Sequence, residues 1–305
     1  MEGTGMKKIV VTGSNGQLGN ELRDIDRGGR YAGRYTFLFT DVAELDITNR
    51  EAVRRFVAAE QPAWIINAAA YTAVDKAEGD ENLAERLNAD AVAYLAEAAR
   101  EAGASLVQVS TDYVFDGRKP ADGHAWTEEE PTAPQSVYGR TKRRGEEYAL
   151  AYGRSLVVRT AWLYSTYGNN FVKTMLRLGA ERSELGVVND QWGTPTYAAD
   201  LAAALMRMVE VADEAPDGQK EALYGLYHYT DEGMTTWCDF AREIMRLGGR
   251  SCTVNGITTA EYGAAAPRPE WSVLSKRKIR ETFGVEVPEW EESLKRCIGR
   301  LESEQ

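Results

Sequence analysis

Two short polar clusters in this chain have the residue types and spacing to move a proton. Tyr138-Gly139-Arg140-Thr141-Lys142 sets a phenol and an ammonium four residues apart, which on a helix puts both on one face and within reach of one ligand. A phenol with an ordinary pKa near 10 is a poor acid-base group at neutral pH, and a nearby lysine cation is expected to draw that value down. Ser110-Thr111-Asp112 directly follows the apolar run Leu106-Val107-Gln108-Val109. If that run is a strand of an open parallel sheet, its carboxyl end is where ligands bind, and the Thr111 hydroxyl can meet Tyr138 at a carbonyl oxygen.

A third cluster, Gly13-Ser14-Asn15-Gly16-Gln17-Leu18-Gly19, follows the apolar Lys8-Ile9-Val10-Val11. Glycines between a strand and a helix let the backbone approach a pyrophosphate resting on the helix N-terminus, so this turn predicts a dinucleotide site. Asp41 lies roughly 20 residues further on, at the end of a second apolar run, Thr36 to Phe39, where a carboxylate can accept from adenosine ribose hydroxyls. That position favours NADH over NADPH, with Arg34 as an alternative contact for a 2′-phosphate.

Such groups need a frame, and the first half of the chain supplies one. Predicted strands at 8–11, 36–39, 64–67, 106–109 and 156–159 alternate with predicted helices. One helix opens at Gly19 and another runs to Glu60 from a capping box at Thr48-Asn49-Arg50-Glu51; the others span 83–101 and 137–152. Strands apolar on both faces belong in a sheet covered on each side. The expected fold class is therefore α/β, a doubly wound parallel (Rossmann-type) sheet over residues 6–160, with a smaller C-terminal α/β lobe over 161–305 from which some segments return to the first unit. Residues 212–220 read as a polar surface loop.

Composition narrows the function classes. The 305 residues carry a formal charge of −11 and no long basic segment, which argues against nucleic acid as partner. The longest apolar run, near Trp64 to Tyr71, is too short to span a bilayer. The opening MEGTGMKKIV has no apolar signal core, and Met6 reads as a natural start behind a short extension. Cys238, Cys252 and Cys297 lack CxxC spacing, so neither a disulfide framework nor a zinc site is expected, and a cytoplasmic setting is the simplest. His124 reads as a surface residue.

Taken in order, these clusters resemble the extended short-chain dehydrogenase/reductases and, within them, the dTDP-4-dehydrorhamnose reductase family. Further segments carry the resemblance: Asn67-Ala68-Ala69-Ala70-Tyr71-Thr72-Ala73-Val74-Asp75-Lys76-Ala77-Glu78, Tyr113-Val114-Phe115, Arg159-Thr160-Ala161-Trp162, Gly168-Asn169-Asn170-Phe171, Gln191-Trp192-Gly193-Thr194-Pro195-Thr196 and Arg268-Pro269. The resemblance implies Thr111, Tyr138 and Lys142 as the catalytic set. It places Asp41, Asp46, Ile47, Ala68, Ala69 and Ala70 near NADH or NADPH, and Val74, Asp112, Tyr113 and Trp162 against a dTDP-linked 4-keto sugar. Arg268 could pair with the diphosphate. Tyr71 stands where some members have histidine, and Trp192 where a smaller aromatic is frequent.

The implied reaction is hydride delivery to the C4 carbonyl of dTDP-4-dehydro-β-L-rhamnose, with no metal required. Related dehydratases have an acidic pair after the equivalent threonine; here Tyr113 follows Asp112, so reduction without dehydration is expected. A 4-epimerase, or a non-catalytic regulatory subunit of the kind that accompanies methionine adenosyltransferase, are the competing readings. Some relatives dimerise around magnesium, so a homodimer and a Mg2+ ion are open expectations without assignable ligands.

Overall fold

The computed structural model describes residues 6–216 and 218–303; the proposed N-terminal extension, Met1 to Gly5, lies outside the described residues. The first half runs β1 (Lys7–Thr12), α1 (Gln17–Arg27), β2 (Tyr35–Phe39), α2 (Arg50–Glu60), β3 (Trp64–Asn67), the short α3 (Val74–Ala77) and α4 (Glu81–Glu85), α5 (Ala91–Ala102), β4 (Ser105–Thr111), α6 (Val137–Tyr152) and β5 (Ser155–Thr160). There follow β6 (Leu163–Tyr164), α7 (Phe171–Glu181), β7 (Glu184–Val188), β8 (Trp192–Gly193), β9 (Thr196–Tyr197), α8 (Ala198–Glu214), β10 (Gly225–His228), β11 (Thr235–Thr236), α9 (Trp237–Leu247), β12 (Thr253–Ile257), α10 (Thr259–Tyr262), α11 (Arg277–Phe283) and α12 (Trp290–Ser303).

Six strands form one parallel sheet in the order β10-β5-β4-β3-β1-β2. Alternation along β1 explains its two covered faces. Ile9 and Val11 pack with Trp64, Ile66, Val107 and Leu156 under α1 and α8, while Val10 packs with Ile65, Leu106 and Val157 under α2 and α5. The chain leaves β1 toward β2 on one side and returns on the other as β3, so the crevice between their carboxyl ends is the topological switch point. Gly13 sits in that crevice at φ +64°, and a Cβ there would come within 2.7 Å of the Ala69 backbone. Only glycine meets both demands.

A second core gathers Tyr164, Val172, Phe240, Ile244, Trp290 and Leu294 around α7, α9 and α12, beside a two-stranded parallel pair of β7 and β12. The six-stranded sheet takes its last strand, β10, from this C-terminal half, pairing Tyr227 with Val158.

Local departures from the sequence reading have physical causes. The cap of α2 is Asn49, whose side chain accepts from the Ala52 N–H; Thr48 instead donates its hydroxyl to Asp46. The helix predicted over 83–101 is interrupted by a π-helical turn, Arg86–Asp90. There the buried Asn88 side chain accepts from the Tyr71 N–H and donates to the Tyr71 carbonyl and the Thr141 hydroxyl. Residues 212–214 are helical rather than loop: Ala212 is fully buried on α8, and Asp213 accepts from Trp64 and Tyr35. Among the described residues, no helix is long and apolar enough to cross a membrane. The three cysteines are buried.

Candidate active site

The glycine turn leads straight into α1, whose N-cap, Gly16, brings no side-chain hydrogen bond to the first-turn N–H groups. An uncapped helix start keeps its donors and its positive dipole end for an anion. Gly13 and Gly16 line a cavity of about 280 Å3 with Asp41, Asp46, Ile47 and Ala68 to Ala70. Gly16 and Ala68 to Ala70 also line a second cavity of about 520 Å3, reached past Gln17 and Leu18. Two cavities that share wall residues at a helix N-terminus suit the chemistry of a dinucleotide. Asp41 faces the turn, its Oδ2 accepting from the Asn15 N–H at 3.0 Å.

Not every predicted cofactor residue faces this space. Asn15 contributes backbone to the turn, and Gly19 packs underneath it, where a Cβ would lie 2.4 Å from the Ser14 Cα. Arg34 does not reach this space either. It sits at the opposite end of β2 from Asp41 and is bound to Glu210 and Glu214 of α8 at 3.0 and 2.8 Å, which removes it as a 2′-phosphate ligand.

The 520 Å3 cavity is walled by Val74, Thr111, Asp112, Tyr113, Tyr138, Lys142 and Trp162. Ser136 starts α6 by accepting from the Gly139 N–H. Gly139 lets the helix close on the end of β4, since a Cβ there would lie 2.3 Å from the Tyr113 carbonyl oxygen. That approach sets Tyr138 beside Thr111 and edge-on to Tyr113, with ring centroids 5.4 Å apart.

The electrostatics differ from the simple expectation of a lysine-lowered phenol. Burial raises Tyr138 above the ordinary phenol value; the Thr111 hydroxyl opposes this and the Asp112 charge adds to it. Lys142 directs its ammonium to the Val109 carbonyl at 2.6 Å, and burial draws the amine down to about 8. An ammonium has three donors, so this bond leaves others for a ligand.

Asp112 is buried, with Oδ1 accepting from Thr111 at 3.0 Å and Oδ2 without a hydrogen-bond partner. Burial pushes its carboxyl up to about 7, from 3.8. Below 3.8 folded and unfolded chains both hold the proton. As pH rises from there to about 7 only the unfolded chain ionises, so stability is lost across that window. Asp112→Asn is therefore expected to raise unfolding free energy at pH 8, by up to about 4 kcal/mol at roughly 1.4 kcal/mol per pKa unit, and to gain little at pH 4.5. Denaturant titrations at both pH values check this; equal gains would contradict it.

Trp162 has a left-handed backbone, φ +50°, a conformation costing on the order of 1 kcal/mol or more that surrounding contacts must hold. The Trp237 ring stacks on it at 3.7 Å, 13° from parallel. Trp237 also lines the cavity and escaped the sequence reading. Its one local signal is the preceding Thr236, which caps α9. Arg268 borders an adjoining crevice shared with Tyr113, donating to the Tyr113 hydroxyl at 3.3 Å and to the Asp75 carboxylate. Trp192 pairs with Thr236, outside this lining.

Residues 6–303 match the family described as the RmlD substrate binding domain. The chain belongs to that family. It is 42% identical over 299 residues to the dTDP-4-dehydrorhamnose reductase of Aggregatibacter actinomycetemcomitans, covering 95% of this chain and 98% of the relative. The solved structure of a Clostridium acetobutylicum dTDP-4-dehydrorhamnose reductase superposes with a TM-score of 0.88 at 45% identity, covering 97% of this chain and 99% of that one. The Bacillus anthracis dTDP-4-dehydrorhamnose reductase, solved in complex with NADP, gives 0.88 at 38% identity, covering 97% and 100%. Family membership makes this a protein that uses a nicotinamide cofactor. His124 is half-exposed between Asp122 and Glu130, and among the described residues no three His, Cys, Asp or Glu side chains gather as a metal site.

Proposed function

We propose that this protein is an NAD(P)H-dependent reductase that converts the C4 keto group of dTDP-4-dehydro-β-L-rhamnose to the alcohol, giving dTDP-β-L-rhamnose. The observation that carries the reading is the convergence of Thr111, Tyr138 and Lys142 on one cavity that shares Gly16 and Ala68 to Ala70 with the cavity at the glycine turn. A bound reduced nicotinamide supplies the hydride that attacks the carbonyl carbon. Tyr138 donates its phenolic proton to the oxygen as negative charge develops there. A phenol held above its ordinary value keeps that proton until an alkoxide, a far stronger base, forms beside it. Thr111 hydrogen-bonds the same oxygen, and Lys142 orients the nicotinamide ribose while favouring the phenolate left behind.

Specificity comes from the other walls. Trp162, held flat by Trp237, offers a stacking face, and Val74, Asp112 and Tyr113 bound the sugar nucleotide. With Tyr113 where elimination would need a second carboxylate, the site reduces and does not dehydrate. Asp41 at the ribose end favours NADH, which a comparison of KM for the two cofactors checks.

Arg268 is the diphosphate contact in this reading. Arg268→Glu should raise KM for the sugar nucleotide about 10- to 100-fold, the worth of one charged hydrogen bond, with kcat within a few-fold. Steady-state kinetics decide this, and an unchanged KM would remove Arg268 from the site. The reading as a whole is tested by incubating purified protein, without partners, with the keto sugar nucleotide and NADH or NADPH. Sustained cofactor oxidation is expected; a non-catalytic subunit would show none.

A further inference from the structure

A buried charged group lies behind the catalytic wall, on no surface that a ligand touches. Glu146 is fully buried on α6, one helical turn past Lys142 and on the same face. Its Oε1 accepts from the Ser110 hydroxyl of β4 at 2.6 Å, and Arg159 of β5 grips both carboxylate oxygens at 2.8 Å. Ser110 adjoins Thr111 in the chain, so one carboxylate ties together the strand carrying Thr111 and the helix carrying Tyr138 and Lys142.

We propose that Glu146 is a positioning residue for the reaction: fixed by Ser110 and Arg159, it sets a negative charge one turn behind Lys142 and so keeps that side chain an ammonium in the cavity wall. The inference rests on the reductase reading above. A lysine buried in a protein tends to shed its proton, and burial does draw Lys142 down; Glu146 is the charge that opposes the loss. The groups facing this region are few. On α6 they are Tyr138, Arg143 and Glu146; Arg143 stands 3.9 Å from Glu146 and closer to Glu147. From β4 come Ser110, Thr111 and the Asp112 carboxyl, which burial keeps largely protonated below pH 7. From β5 comes Arg159, and from β10 His228, whose ring lies 3.4 Å from Arg159 and which burial holds neutral.

The test uses the pH at which Lys142 loses its proton, read in two ways. In the protein without cofactor, the rate of Lys142 acetylation by acetic anhydride is followed against pH by peptide mass spectrometry. In the working enzyme, the alkaline limb of kcat is recorded. Glu146→Gln should move both midpoints down by about one pH unit or more, the usual effect of one close opposite charge. Because this variant leaves Arg159 buried and unpaired, Glu146→Gln with Arg159→Gln is measured beside it. It should recover thermal stability and keep the lowered midpoints. If activity falls while both midpoints stay at the wild-type pH, in either variant that folds, Glu146 is merely structural and the inference is wrong. A lowered labelling midpoint in a protein that does not turn over the keto sugar nucleotide would overturn the reductase reading alone.

Discussion

Tyr138→Phe is expected to lower kcat by about 10^3-fold, within the range general acid catalysis contributes, while the protein still binds its cofactor. The phenol is buried against Thr111 and Tyr113, and it faces the cavity beside the Thr111 hydroxyl assigned to the same substrate oxygen. Asp112 is titratable nearby, so the loss is measured at pH 8, above the value of about 7 to which burial raises its carboxyl. Removing one oxygen keeps the ring that packs with Ala77, Ala84 and Val137, so the fold should be retained. Cofactor fluorescence titration and single-turnover kinetics separate the two effects. Near-normal turnover with cofactor bound would remove Tyr138 from the chemistry.

Thr111→Val is the second large effect. The substitution keeps the β-branched shape favoured at a strand end and deletes only the hydroxyl. That hydroxyl accepts from the Tyr113 N–H and faces the Tyr138 phenol; its one proton goes to Asp112 in this structure and would turn to the substrate oxygen when the sugar binds. Loss of a hydrogen-bond donor to a developing oxyanion costs about 10^2- to 10^3-fold in kcat. Part of the loss has a second origin, since Thr111 also offsets the burial that raises Tyr138. Thr111→Ser, which restores the hydroxyl, should recover most of the rate. A Val variant with unaltered kcat, or a Ser variant as slow as Val, would contradict the assigned role.

The parts of this site that were readable in the sequence are those written in consecutive residues. The apolar runs at Ile9, Ile65 and Val107 are buried on both faces, so their pattern needed no partner to be recognised. The helix Val137–Tyr152 begins and ends where Ser136 and Gly153 say it should. What escaped depends on distant residues meeting. Trp237 becomes a cavity wall only because Trp162, far away in the chain, turns left-handed beneath it. Asn88 has no sequence signal for its π-helical turn, whose purpose is visible only once Tyr71 and Thr141 sit on either side. Arg34 looked available because Glu210 and Glu214, its partners, lie on a helix more than half the chain away. Glu146 reads as one more charge on a charged helix until Arg159 covers it.

The measurement that bears most directly on the central claim is the fate of a deuterium label carried as the transferable hydrogen of NADH or NADPH. With dTDP-4-dehydro-β-L-rhamnose and purified protein, the label should appear at C4 of the sugar, in a product identified as dTDP-β-L-rhamnose, with no solvent hydrogen entering C5. Label absent from C4, or solvent exchange at C5 during turnover, would contradict a simple carbonyl reduction at the Thr111, Tyr138 and Lys142 wall.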